Sequence, residues 1–397
     1  MAVGRRTAPL NMSIAIAPSK TALSAETYAD RFYRPELDAL RFFAFFGVFL
    51  FHAAPRTMEF YDAARFPHWL AGFLISALGA GAYGVDLFFA LSAYLITTLM
   101  LRERVATGSL DLRGFYTRRI LRIWPVYLTF VAFAALVPFL TPAQKLPLHY
   151  VAGFTLLAGN WMYVFYGLPA SFATPLWTVS IEEQFYLTWP LALRRASLRG
   201  MVGLALCLLI IANVWRVALA ASGAAMQSME YNTFTRLDPI ALGILIALVG
   251  NKLPQFTRWQ RTALVLAGLG SWIAVYAFTA SSHPDNANPW RLALGHPLTA
   301  LASVAILLSV LGSQHPFLKN RQLLYLGKIS YGLYVVHEFA HFCASRLIPA
   351  STPLTVLAQS GVSLVFTILL ASASYRWLES PFLKLKERFS HVHSRPV

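Results

Sequence analysis

Apolar residues in this chain come in long runs separated by short basic stretches, without the strict alternation that marks half-buried strands. A helix needs about 20 mostly apolar residues to cross the ~30 Å hydrocarbon layer of a bilayer. Runs approaching that length lie near residues 39–54, 81–101, 120–140, 177–193, 201–221, 237–250, 262–280, 293–313, 329–348 and 355–375. The pattern predicts an all-α fold, a polytopic membrane bundle of about ten transmembrane helices. A weaker run at 148–165, rich in Gly, Asn, Trp and Tyr, makes an eleventh candidate.

The first run has basic residues at both ends, Arg41 and His52, with ten uncharged positions between them. Eleven steps of 100° come to about 1100°, which leaves the two side chains about 20° apart on one helix face. At 1.5 Å per residue they stand roughly 16 Å apart along the axis. A basic group at the centre of a membrane helix costs about 2.5–3.5 kcal/mol on insertion scales and is usually retained for a purpose. The bland alternative is a snorkelling arginine with a histidine hydrogen-bonded to a neighbouring helix.

Composition supports the membrane reading. Hydrophobic residues make up 57% of the chain and charged ones 13%, with a mean hydropathy of +0.54. A soluble protein carries about a quarter charged residues. The two cysteines, Cys207 and Cys343, fall inside apolar runs and suggest neither a disulfide framework nor a metal site. A formal charge of +16 raises the question of nucleic acid, and its placement answers it. If 148–165 does not cross and the N-terminus is inside, 26 of the 33 Lys and Arg fall on cytoplasmic segments. If it does cross, every later loop inverts and the bias largely vanishes. The positive-inside rule thus favours ten spans with both termini cytoplasmic, 148–165 as a re-entrant or outer-surface segment, and no nucleic-acid partner. Residues 1–36 read as a loose cytoplasmic tail with no signal peptide, 37–380 as the membrane domain and 381–397 as a cytoplasmic C-terminal tail.

Several spans carry polar groups that a passive bundle would not need. Asp86 stands at the outer end of the second, where a helix-start charge at the interface would also put it. Arg118 and Arg119 precede Arg122 by four and three residues, which clusters three guanidinium groups on one helix surface. Such forks suit phosphates and carboxylates; contact with lipid headgroups is the competing use. In WTVSIEEQFYL, Glu182, Glu183 and Gln184 open an otherwise apolar span. Successive residues lie 100° apart, so one glutamate can face a cavity while the other sees the interface. Arg236 and Asp238 stand at an outer helix entrance, where they can pair with each other. Ser330 and His337 are seven apart and share a face, with Tyr331 beside the first and Tyr334 between. Glu379, beside Pro381, reads as a terminator at a cytoplasmic helix end.

Taken together and in order, Arg41-x10-His52, GVDLFFALSAYLI, Arg119-x-x-Arg122, WTVSIEEQFYL, RLDPIALG, LGKISYGLYVVHE and YRWLESP resemble the membrane acyltransferase-3 family over roughly residues 34–382. The resemblance implies an enzyme that moves an acyl group, usually acetyl, from a cytosolic acyl-coenzyme A to a hydroxyl, mostly of envelope or exported glycans. The bacterial plasma membrane is then its expected location. It also implies that His52 is the catalytic histidine with Arg41 as its motif partner. Arg119 and Arg122 handle the donor, and Glu182 fills the acidic position of the Ser-x-Glu-x-Gln-Phe pattern. Ala93-Tyr94 departs from the common Gly-Phe. The esterase-like extracytoplasmic domain of some relatives has no counterpart here, so any second step is expected to need a separate protein.

On this reading His52 deprotonates the acceptor hydroxyl or relays acetyl covalently, with Glu182 orienting its ring. Arg118, Arg119 and Arg122 hold the phosphates of acetyl-coenzyme A, a donor substrate rather than a tightly bound cofactor, and no metal is called for. No G-x-S-x-G elbow is present. An acyltransferase acting on a small glycoside such as a macrolide is a second reading. A transporter or flippase of lipid-linked sugars is a third, against which stands the lack of a clear internal repeat.

Overall fold

A computed structural model describes residues 33–137, 144–280 and 288–389. Among the described residues there is helix and no strand. The helices are α1 (Pro35–Ala53), α2 (Met58–Ala63), α3 (His68–Gly79), α4 (Gly84–Thr107), α5 (Leu112–Leu136), α6 (Leu148–Thr155), α7 (Gly159–Tyr166), α8 (Trp177–Arg195) and α9 (Leu198–Ala221). They continue with α10 (Met226–Glu230), α11 (Leu237–Val249), α12 (Arg258–Ala280), α13 (Pro289–Val310), α14 (Arg321–Lys328), α15 (Ser330–Leu347), α16 (Pro353–Ser374) and α17 (Ser380–Glu387). Residues 1–32 and 390–397, which hold most of the expected N-terminal tail and the end of the C-terminal one, lie outside the described residues.

Local chemistry places the ends. The Asp111 carboxylate accepts from the Gly114 amide at 2.9 Å and caps α5, and Ser197 caps α9 through the Gly200 amide. Gly108, at φ +75°, closes α4 in a left-handed turn. Among the described residues six helical segments are long and apolar enough to cross a membrane: His68–Thr107, Leu112–Leu136, Leu198–Ala221, Arg258–Thr279, Pro289–Val310 and Pro353–Glu387. Each remaining apolar run also lies on a helix, namely α1, α8, α11 and α15. These four are the ones interrupted by Arg41 and His52, by Glu182 to Gln184, by Asp238, and by His337. They lose apolar length to polar residues that face protein, and their buried positions include Asp38, Glu183, Asp238 and His337. Run 148–165 resolves into α6 and α7, eight residues each. At 1.5 Å per residue each is about 12 Å long.

Three expectations change. A 3-10 turn at Ala80–Tyr83 joins α3 to α4, so the helical path runs on for 40 residues through Asp86. That is about 60 Å, and Asp86 is therefore no interfacial helix-start charge. It is 2% exposed. Glu379 terminates nothing: a π-turn at Tyr375–Glu379 carries α16 directly into α17. Pro381 is accommodated there because it sits in the first turn of α17, where a missing N–H is not needed. Glu183 does not see the interface; it is 3% exposed and accepts from Trp124 Nε1 at 3.0 Å.

Packing sets the helices around one interior. At Gly84 α4 lies against α1, and a Cβ there would collide with the Ala44 carbonyl. Gly243 gives α11 the same close approach to α4 at Ala90. The largest apolar core draws on α1, α4, α5, α8 and α15, with Phe45, Phe89, Tyr127, Ile181 and Leu333 essentially without exposure. These five helices also surround the site.

Candidate active site

A cavity of about 180 Å³ opens between α1, α4, α5, α8 and the start of α15. Arg34, Arg118 and Lys386 stand on its walls, as do Arg41, Arg119 and Arg122. Four helices or flanking segments thus contribute cations to one space. Three acids share the wall, Asp38, Glu103 and Glu182, and Glu182 Oε1 accepts from Ser92 Oγ at 2.8 Å. Ser330, Tyr331 and Tyr334 close the far wall.

The cations are not equivalent. Arg41 reaches back to Asp38 at 3.1 Å. Arg118 is tied to Glu103 at 2.9 Å and donates to the Phe389 carbonyl. Arg122 lies near enough to Glu379 for their charges to interact. Arg119 lies over the rings of Phe115 and Tyr186, at 5.5 and 5.3 Å. Among the described residues no hydrogen bond or ion pair engages it. Cation–π contact leaves the N–H edge of a guanidinium available, and such an edge suits phosphate.

His52 stands off this cavity, and its ring meets α15. His52 Nδ1 is 3.0 Å from His337 Nε2 and 3.4 Å from Glu338 Oε1. His337 Nδ1 is 2.6 Å from the Tyr334 carbonyl oxygen. Tyr334 belongs to both places: it lines the cavity, and its hydroxyl meets Thr178 Oγ1 at 2.8 Å and the Pro175 carbonyl at 3.1 Å. The His52 and Glu338 side chains keep 27% and 23% exposure, whereas His337 has 1%. The pair is therefore open on one side.

Glu182 makes its bond to Ser92 in the cavity, and the groups that touch the His52 ring are His337 and Glu338. Ring orientation falls to α15 rather than α8. The shared face of Ser330, Tyr334 and His337 holds, and it brings the cavity wall and the histidine pair onto one helix. Tyr331 donates to the Ile123 carbonyl at 3.1 Å. Gln184 turns away from the cavity. Its amide donates to the Leu157 carbonyl and Asn160 Oδ1, and its oxygen accepts from Thr233 Oγ1, pinning the α6–α7 segment to the bundle.

The other acid–base residues form a separate buried cluster. Arg236 Nη2 meets Asp86 at 2.8 Å, Arg236 Nη1 is 2.6 Å from His296 Nδ1, and Thr299 donates to Asp86 at 2.9 Å. Asp238 pairs instead with Arg216, which is fully buried, and with Asn213. Arg236 and Asp238 thus do not pair with each other. Two residues apart on helical turns, they point about 200° apart.

Sequence reasoning missed Glu338, His296 and Arg216. Glu338 sits 100° from His337 on α15, off the face that Ser330 and His337 share, yet His52 Nδ1 meets both His337 and Glu338. Arg216 lies inside an apolar span, and the signal that could have found its partner was the need of a buried cation for an acid.

The model of the acyltransferase-3 family, described as an acyltransferase domain, matches residues 34–376. The chain belongs to this family, and with its apolar helices it is an integral membrane protein. It is 28% identical to a peptidoglycan O-acetyltransferase of Listeria monocytogenes, over 90% of this chain and 57% of that protein. It is 29% identical to a putative peptidoglycan O-acetyltransferase of Bacillus subtilis, over 88% of this chain and 55% of that one. A putative O-acetyltransferase of Staphylococcus aureus is 26% identical over 89% and 58%. The chain thus spans rather more than half the length of these relatives. No solved structure matches it.

Proposed function

We propose that this chain transfers an acetyl group from cytosolic acetyl-coenzyme A to a hydroxyl of a cell-envelope glycan. Peptidoglycan is the class named for its relatives in Listeria and Bacillus. One observation carries the reading: a single cavity gathers Arg41, Arg119 and Arg122 from α1 and α5, and its wall residue Tyr334 leads to His52. Guanidinium groups at the basic end suit the donor's phosphates, and an imidazole suits proton transfer at neutral pH. His52 takes the acceptor hydroxyl proton as that oxygen attacks the thioester carbonyl. The C–S bond breaks, and the departing thiolate receives the proton. A covalent acetyl-histidine, formed and then attacked by the acceptor, uses the same ring.

The same proposal gives the chain ten crossings in a bacterial plasma membrane, with both termini and the arginine-rich cavity mouth cytoplasmic. The dispersal of Lys and Arg supports that orientation. The brevity of α6 and α7 supports a segment between α5 and α8 that does not cross.

Membranes containing the chain, given acetyl-coenzyme A labelled in the acetyl group, should yield alkali-labile label on envelope glycan. Membranes with equal amounts of the His52→Ala variant should yield none. Label confined to a small glycoside would replace the acceptor. No label, together with movement of a lipid-linked sugar across the bilayer, would replace the reaction itself.

A further inference from the structure

The contacts around His52 go further than naming it: they fix which of its two nitrogens does the chemistry. The Tyr334 carbonyl oxygen lies 2.6 Å from His337 Nδ1. A carbonyl only accepts, so His337 Nδ1 carries the proton. A neutral imidazole has one N–H, so His337 Nε2 then presents a lone pair. That atom is 3.0 Å from His52 Nδ1. A Glu338 carboxylate oxygen stands 3.4 Å from the same His52 Nδ1. Both groups that meet Nδ1 thus present lone pairs, and a bare nitrogen there would face two acceptors.

We infer that His337 and Glu338 act as positioning residues that hold the proton of His52 on Nδ1, leaving Nε2 as the atom that takes the acceptor's proton or the acetyl group. The chain of contacts is Tyr334 carbonyl, His337, His52, and every link donates toward Tyr334. Either event at Nε2 makes the ring cationic, and Glu338 then lies 3.4 Å from the new charge's N–H. His337 is buried, whereas His52 and Glu338 keep 27% and 23% exposure, so the fixed partner lies inside and the ring it holds stays accessible. Tyr334, on the cavity wall, couples this arrangement to the place where the donor is proposed to lie.

The inference rests on the acetyl-transfer reading for its kinetic test and is independent of it for its spectroscopic one. Full-length protein with 15N-labelled histidine would be reconstituted in lipid, and the His52 signals assigned by their loss in His52→Gln. The expected result is a protonated Nδ1 and an unprotonated Nε2 in the parent chain, and a mixture of tautomers in His337→Ala. In kinetics, His337→Ala should lower kcat about 10²-fold with KM for acetyl-coenzyme A changed less than about threefold. His337→Gln, whose side-chain oxygen can still accept from Nδ1, should recover at least about a tenth of parental kcat. Glu338→Gln should lower kcat about tenfold, again without moving KM.

A protonated Nε2 in the parent chain would overturn the assignment, and so would a His337→Ala variant that loses only KM. The three ligand atoms of His52, His337 and Glu338 all lie within 4.8 Å of one another, a spacing that can also hold a metal ion. Metal analysis of the purified chain belongs in the same experiment: one bound divalent ion per chain, lost in His337→Ala, would also overturn it. Should the parent chain transfer no acetyl group, the proposed activity falls while the 15N signals still decide the tautomer.

Discussion

Two polar clusters stand in this bundle, and they differ in how far their neighbours enclose them. In one, Asp86 meets Arg236 and Thr299, Arg236 meets His296, and Asp238 meets Arg216; all six side chains are at most 4% exposed. Each charge there faces an opposite charge, and at its edge Glu230, 35% exposed, lies 3.6 Å from Arg236 and 3.5 Å from His296. In the other, His52 touches His337 and Glu338, keeps 27% of its side chain exposed, and has a ring nitrogen beyond those contacts. Burial of charge inside a membrane protein therefore does not by itself mark the chemistry. The mark is a titratable group that is held by neighbours, not consumed by them, and still accessible.

The largest effects would break that comparison. His52→Ala should remove acetyl transfer at unchanged abundance, a loss of at least about 10³-fold for a base or a relay. Transfer at the parental rate would make the open cluster as structural as the closed one. Arg216→Leu should act in the opposite manner. It leaves Asp238 buried without its cation, at a cost of about 3–5 kcal/mol. The expected outcome is a lower unfolding midpoint and less folded protein, with turnover per folded molecule within about threefold of the parent. A variant that folds normally and fails to turn over would move the closed cluster into the mechanism.

The sequence made the helices legible because lipid demands long apolar runs, and every run found its helix. It made the Arg41–His52 face and the Ser330–Tyr334–His337 face legible because helical spacing is rigid. Pairing across helices was not legible. Nothing along the chain says that Asp86 meets a residue 150 positions on, or that Arg236 and Asp238 choose different partners. Glu338 stayed hidden for a related reason. A single-face reading discards a neighbour 100° away, whereas a side chain approaching from another helix can lie between two such neighbours. Continuity was misread at Asp86 and Glu379 because Gly, Ser and Pro look like stops. The 3-10 and π turns that carry a helix through them depend on packing.

The smallest predicted effect sharpens the comparison within the cavity itself, where the arginines of α5 divide along the same line. Arg119 lies over two aromatic rings with its N–H edge unengaged, while Arg118 is bound to Glu103 and to the Phe389 carbonyl. Arg119→Gln should raise KM for acetyl-coenzyme A about tenfold with kcat little changed, as loss of a ground-state phosphate contact does. Arg118→Gln should change KM by less than about threefold. Its cost should be to stability, about 1 kcal/mol, because the guanidinium is partly open to solvent and Glu103 keeps its bond from the Asp111 amide at 2.9 Å. Steady-state kinetics on the two variants side by side decides the matter. If they raise KM equally, the Glu103 pair opens when the donor arrives and the arginines act as one clamp. If only Arg119→Gln does, the ion pair of Arg118 anchors the α4–α5 turn, and the donor's charge is met by the arginine whose hydrogen bonds the fold left unspent.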